Sequence, residues 1–257
     1  VTNPSDQITA DLLILVAVLL PPQTLDIFGT LIDERVVETP YGAVMPLGLR
    51  TPAAGPSVWV QPYTGSPNRT DPRATLYAAQ TLGVHYVLNW DAGIAVNPVL
   101  QRGQNTIAVD FIDWTRHQPY TFGSQIPADW AVERRLRPPT FCPHMISALY
   151  QVLPDAVGTI YLGVDGPRRE TAAEARLFRQ MGADVIGQNL VPEVYLAQEL
   201  GICYAGLVTL GDASADQWRQ PPHGEMRAGL GQIIRALPDY VNLLGALPTC
   251  NCNAEHS

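Results

Sequence analysis

From Pro143 to Leu244 the chain alternates between two apolar periods, and this alternation constrains its fold more than any other feature. Residues 143–153, 170–181 and 192–200 carry apolar side chains at helical spacing, and the short runs 158–164, 183–186 and 203–210 between and after them read as strands. Gly182 and Gly201 close two of the helices, as glycine does just past a helical C-terminus. A last helix is expected within residues 224–244, interrupted near Pro238. Strands alternating with helices pair mainly in parallel, with helices on both faces of the sheet.

The first half fits the same plan. Residues 10–23 read ADLLILVAVLLPPQ. The apolar run 12–20 is shorter than the roughly 20 residues a bilayer helix needs. Asp6 and Asp11 precede it and prolines follow, a poor match to a signal peptide. The run is therefore expected to be a strand buried on both faces. Residues 36–49 suggest a hairpin around Pro40-Tyr41-Gly42, and residues 57–60, 84–89 and 105–110 suggest further strands. Asp71-Pro72 offers a helix start, continued over 74–82 and closed by Gly83. A proline-rich connection spans 125–143. With no repeat or linker, residues 1–257 are expected to form a single α/β domain: a mixed, mainly parallel twisted sheet flanked by helices.

Composition narrows the partners. A formal net charge of -8 leaves no basic excess to neutralise phosphates, so no nucleic-acid partner is expected. Every basic residue is arginine, which excludes lysine Schiff-base chemistry. Cys142, Cys203, Cys250 and Cys252 are too few for a disulfide scaffold. Cys250-x-Cys252 has the form of a redox pair or half of a metal site, but two matching ligands are lacking, so an exposed tail with two thiols is expected. His117, His144 and His223 adjoin no second ligand at metal spacing. No metal, no cofactor and no membrane span are expected.

The residues just past each strand carry a resemblance. Gly166-Pro167, Thr171-x-x-Glu174, Gly182-Ala-Asp-Val-Ile186, Val191-Pro-Glu193, Ala197 and Gly201-Ile-Cys-Tyr-Ala205 occur in an order that resembles the 5'-methylthioadenosine and purine nucleoside phosphorylases. Phe111-Ile-Asp-Trp-Thr115, Pro119, Thr121, Phe122, Phe141-Cys-Pro143 and the Cys250-x-Cys252 tail extend it over nearly the whole chain. The resemblance implies a trimeric cytoplasmic enzyme that cleaves a nucleoside with phosphate through an oxocarbenium-like sugar, without metal or organic cofactor.

Four departures fall on the elements that hold phosphate in that family. Its glycine-rich turn after the first strand is replaced by Val18-Leu-Leu-Pro-Pro22, where proline has no N–H to give. Its Pro-Arg-His-Gly becomes Pro62-Tyr63-Thr-Gly65, and its small-residue turn becomes Asn89-Trp90-Asp91-Ala-Gly-Ile94. Its threonine becomes Asn189. A carboxylate about 4 Å from an anion costs about 4 kcal/mol at an effective dielectric near 20. Phosphorolysis is therefore not expected.

In the nucleoside half the family's methionine under the ribose is matched by Gln188, and its base-stacking aromatic by Arg169. The aspartate that receives the base's proton is matched by Asp212, and a second aspartate by Ser214. The expected catalytic residues are Asp212, as acid, and Asp91, as partner orienting water. An alternative for Asp91 is a helix cap or a pairing with Arg73. Gln188, Asn189, Arg169, Tyr63, Trp90, Leu19 and Ser214 are the expected substrate-binding residues. Arg168 and Glu193 have structural readings as alternatives, the latter as a carboxylate favoured at a helix start. The leading functional expectation is acid–base cleavage of a nucleoside-like or more apolar metabolite without phosphate, in its simplest form glycosidic hydrolysis. A repurposed cyclase, isomerase or lyase of specialised metabolism and a non-catalytic trimeric binding subunit are the alternatives.

Overall fold

The computed structural model describes residues 10–62, 71–130, 140–217, 225–247 and 250. Strand β1 (Leu12–Ala17) is the apolar run, and its side chains alternate between two cores. Leu13 and Leu15 belong to one buried cluster, whereas Leu12, Ile14 and Val16 belong to another. A run apolar at every position is what burial on both faces requires.

The large sheet continues through β2 (Thr30–Arg35), β5 (Leu47–Thr51), β6 (Val58–Gln61), β7 (Tyr86–Ala95), β8 (Asn105–Asp113), β9 (Val157–Gly163), β10 (Val185–Gly187) and β11 (Cys203–Ala213), while β3 (Glu38–Thr39) and β4 (Gly42–Ala43) form the expected small hairpin. The strand order is β10-β9-β8-β11-β7-β1-β6-β5-β2, and β10 pairs again with β7. That extra pairing closes β7-β11-β8-β9-β10 into a ring and leaves β1-β6-β5-β2 as an open wing. Parallel pairing joins β1 to β6 and β7, β11 to β7, and β9 to β8 and β10. The remaining pairs are antiparallel.

Helices cover both faces. Helix α1 (Pro72–Thr81) and α4 (Glu193–Glu199) bury Leu76, Ala79, Val194 and Leu196 in the first cluster. Helix α2 (Pro143–Val152) and α5 (Met226–Ala246) bury Met145, Leu149, Leu237 and Tyr240 in the second. Helix α3 (Ala172–Gln180) covers a third, smaller cluster through Phe178. Asp71 caps α1 through the Arg73 amide, and Thr171 and Glu174 form a reciprocal capping box on α3.

Three expectations are corrected. Strand β7 does not end near Asn89 but runs on to Ala95, because β11 and β1 supply partners for Asn89-Trp-Asp-Ala-Gly, a segment of weak intrinsic strand preference, and β10 pairs with Ile94 and Ala95 beyond it. Helix α5 passes through Pro238 without a break. An internal proline costs about 3 kcal/mol, whereas burying each large apolar side chain contributes about 1.5–3 kcal/mol, and Ile233, Leu237, Val241 and Leu244 are all buried. Finally, Cys250 is not exposed: it lies against Cys142 in the second cluster. Cys252 lies outside the described residues.

Candidate active site

Because β7 stays extended, adjacent residues point to opposite faces. Trp90 enters the second cluster, wholly buried, and its indole N–H donates to Thr209 Oγ1 at 3.0 Å. Asn89 and Asp91 take the other face, towards α4. Asp91 is only 1% exposed. Its Oδ2 accepts from the Tyr161 hydroxyl at 2.7 Å. Its Oδ1 accepts from Asn189 Nδ2 at 2.5 Å and from its neighbour Ala92 N–H at 2.8 Å. Gly187 makes this geometry accessible, since a Cβ there would strike the Tyr161 ring. Burial raises the Asp91 pKa, and the donors from Tyr161 and Asn189 oppose that rise.

A second carboxylate joins through two amides. Asn89 Nδ2 donates to Glu193 Oε2 at 2.8 Å and approaches the Asn189 carbonyl oxygen at 3.4 Å. Glu193 Oε2 also accepts from the Tyr204 hydroxyl at 2.7 Å. Burial, reinforced by the nearby Asp91, pushes Glu193 from its ordinary 4.5 up to about 7, against the donors from Tyr204 and Asn89. The result is a continuous polar chain of Glu193, Asn89, Asn189, Asp91 and Tyr161 set into an apolar layer. The Asn89 Oδ1 within it is buried with no hydrogen-bond partner among the described residues.

Asp212 lies elsewhere. It follows a bulge in β11 and pairs in register with Ile94, three residues along β7 from Asp91, or about 10 Å at strand rise. Its side chain is 53% exposed, and its Oδ2 accepts from the Arg169 guanidinium at 2.7 Å. The same guanidinium donates to the Ala213 carbonyl oxygen at 2.9 Å and approaches Glu170 at 3.4 Å. Arg169 and Asp212 thus form an exposed cation–carboxylate edge at the end of β11. Asp91 and Asp212 are separated by burial as well as by distance, so they do not face one open cleft as a carboxylate pair.

The other expected residues divide. Asn189 meets Asp91 directly. Gln188 packs its amide on Gly166, where a Cβ would collide with it. Ser214 is fully buried, and its hydroxyl donates to Asp216 Oδ1 at 2.8 Å in a bracket completed by Arg179. It therefore ties α3 to the end of β11. Leu19 is 80% exposed past β1. Tyr63 lies outside the described residues. Arg168 pairs with the capping-box Glu174 at 2.7 Å, a structural role. Arg73 pairs with Asp71 at 2.6 Å, not with Asp91.

Sequence reasoning passed over Asn89, Tyr161 and Tyr204, and left Glu193 as a helix-start carboxylate. Glu193 does open α4, but its side chain turns inward. The signal available in the sequence was a polar Asn in the middle of an apolar strand, because a buried amide requires partners.

A mixed sheet closed partly into a ring, with a chain of polar groups set on one face of its central strands, is an α/β architecture of the phosphorylase type. The chain belongs to the phosphorylase superfamily, whose model matches residues 25–232. Over 242 residues it is 34% identical to a Moorella thermoacetica protein named "Probable 6-oxopurine nucleoside phosphorylase", covering 87% of this chain and 90% of that one. It is 33% identical over 213 residues to the S-methyl-5'-thioadenosine phosphorylase of Pyrococcus horikoshii, covering 76% and 78%. Among solved structures, the methylthioadenosine phosphorylase of Schistosoma mansoni bound to tubercidin superposes with a TM-score of 0.81 at 21% identity, covering 95% of this chain and 96% of that chain.

Proposed function

We propose that this chain cleaves the glycosidic bond of a purine-nucleoside-like substrate with water in place of phosphate. The observation that carries this reading is the saturation of Asp91. Three donors converge on its carboxylate, from Tyr161, Asn189 and the Ala92 amide. Donors gathered in this way are what an incoming oxyanion needs, and here a side chain of the protein itself already takes them. The loss of backbone donors at Pro21-Pro22 points the same way. The relatives named above support a nucleoside-type substrate. In this reading Asp212, exposed and held by Arg169, is the acid that protonates the leaving base.

The same relatives favour a second reading, phosphate-dependent cleavage, and one assay separates the two. The protein is incubated with methylthioadenosine, adenosine or inosine, with and without inorganic phosphate, and free base is measured. Base release at the same rate in phosphate-free buffer is the expected result; release that requires phosphate overturns the proposal. Asp212→Asn should lower kcat at least 100-fold, within the 10²–10⁴ span of a positioned acid, while the wild-type fold is retained by circular dichroism.

The active form is proposed to be a homotrimer in the cytoplasm, as the family resemblance implies. Among the described residues no helix is long and apolar enough to cross a membrane.

A further inference from the structure

Away from the Asp91 site, three cysteines from distant parts of the chain converge. Cys142 is the N-cap of α2, Cys203 opens β11, and Cys250 follows α5. All are buried, and their sulfurs all lie within 4.8 Å of one another, Cys142 and Cys250 at 3.6 Å. Each backbone is anchored: the Cys142 amide donates to the Tyr204 carbonyl oxygen, the Cys203 amide to that of His85, and the Cys250 amide to the Tyr86 hydroxyl.

We propose that Cys142, Cys203 and Cys250 form a thiolate site for a soft d10 cation, Zn(II) or Cu(I), which fastens the segment after α5 to α2 and β11. The sulfur spacing matches the chemistry. A metal–sulfur bond near 2.3 Å sets the edge of a tetrahedral or trigonal sulfur polyhedron at about 3.8–4.0 Å, and here one pair lies at 3.6 Å with all three sulfurs within 4.8 Å of one another. A thiolate at Cys142 is favoured by its place at a helix N-terminus.

A second, independent feature points to the same spot. The Tyr240 hydroxyl is buried with no hydrogen-bond partner among the described residues. It belongs to the same buried cluster as Cys142, Cys203, Cys250 and Tyr86. It makes no hydrogen bond to the three sulfurs as they stand, and contributes its O–H dipole to the same buried pocket, in the manner of the outer-shell groups that support metal ligands. Binding breaks three S–H bonds, forms three metal–sulfur bonds and releases three protons to the buffer; no electrons are transferred.

The test uses the full chain, purified under reductant and handled without oxygen. One portion is equilibrated with Zn(II), another with Cu(I), and a third with Co(II) as a spectroscopic probe, and free metal is then removed by gel filtration. The expected result is about one equivalent of zinc or copper per chain, with sulfur-to-cobalt charge-transfer absorption in the third portion. The relative retention of the two metals identifies the native ion. Cys142→Ser and Cys203→Ser should each abolish retention, and chelation of the wild-type protein should lower its thermal midpoint. Retention below about a tenth of an equivalent by the reduced wild-type chain overturns the proposal, because that measurement depends on no variant folding. Peptide mass spectrometry that finds these cysteines as a disulfide resistant to the reductant also overturns it.

Discussion

Glu193 shows how one side chain can make the whole protein sensitive to pH. Its pKa is raised from 4.5 to about 7, chiefly by burial. A group raised in the folded state contributes stability that is fully present below 4.5 and is lost as pH rises through about 7. Asp91 is raised as well and adds in the same direction. Glu193→Gln keeps an acceptor for Tyr204 and removes the titration. The variant should therefore lose part of the decline in unfolding free energy between pH 5 and pH 8, by a few kcal/mol at one unit per 1.36 kcal/mol. Urea unfolding at both pH values measures it, and equal declines in the two proteins would contradict the assigned shift. At this scale the sequence was legible where a residue's chemistry is forced by its neighbours in the chain. Arg168 and Asp71 sit beside the partners that define them. It was not legible for Asn89, whose partner Glu193 lies 104 residues away, or for Tyr161, whose partner Asp91 lies 70 residues away.

Elements were easier to read than the points where they end. Gly83, Gly182 and Gly201 close helices as expected, each at positive φ, because the turn itself demands a residue without Cβ. The ends of β7 and the passage of α5 through Pro238 are tertiary outcomes, decided by pairing and burial that no local window contains. Misplacing the end of β7 had a direct cost for the site, since a loop at residues 90–91 would let both side chains face a cleft, whereas a strand turns one of them away. Helix α5 also shows how closely elements meet. A Cβ on Gly229 would run into the carbonyl oxygen of Gly103. Alanine gains about 1 kcal/mol in helix propensity over glycine, but overpacking costs about 1–3 kcal/mol, and a backbone carbonyl gives way less than a side chain. Gly229→Ala should consequently lower the denaturant midpoint with an unchanged m-value; a raised midpoint would show that the loop at Gly103 yields.

For the molecule as a whole, the alternation of elements conveyed the layered α/β plan but not the closure of the ring. Closure depends on β10 meeting β7 where Val185 pairs with Ala95 and Ile186 with Ile94, far apart in the chain, and pairing at that separation leaves no periodic trace. Assembly is a property at this scale too. Among the described residues the edge strand β2 pairs on one side only, and it exposes both Leu31 and Ile32. Unpaired edges with apolar side chains are what association covers. Multi-angle light scattering should return three times the 28.0 kDa chain mass, and a value of one chain mass at micromolar concentration would remove the trimer from the proposal.

One strand sets the terms for any ligand. Since β7 is shared by the ring and the wing through β1, β10 and β11, neither half can swing away without tearing the other. The surface that carries Asn89 and Asp91 is consequently a fixed anvil, and whatever opening and closing accompanies turnover falls to the loops around it.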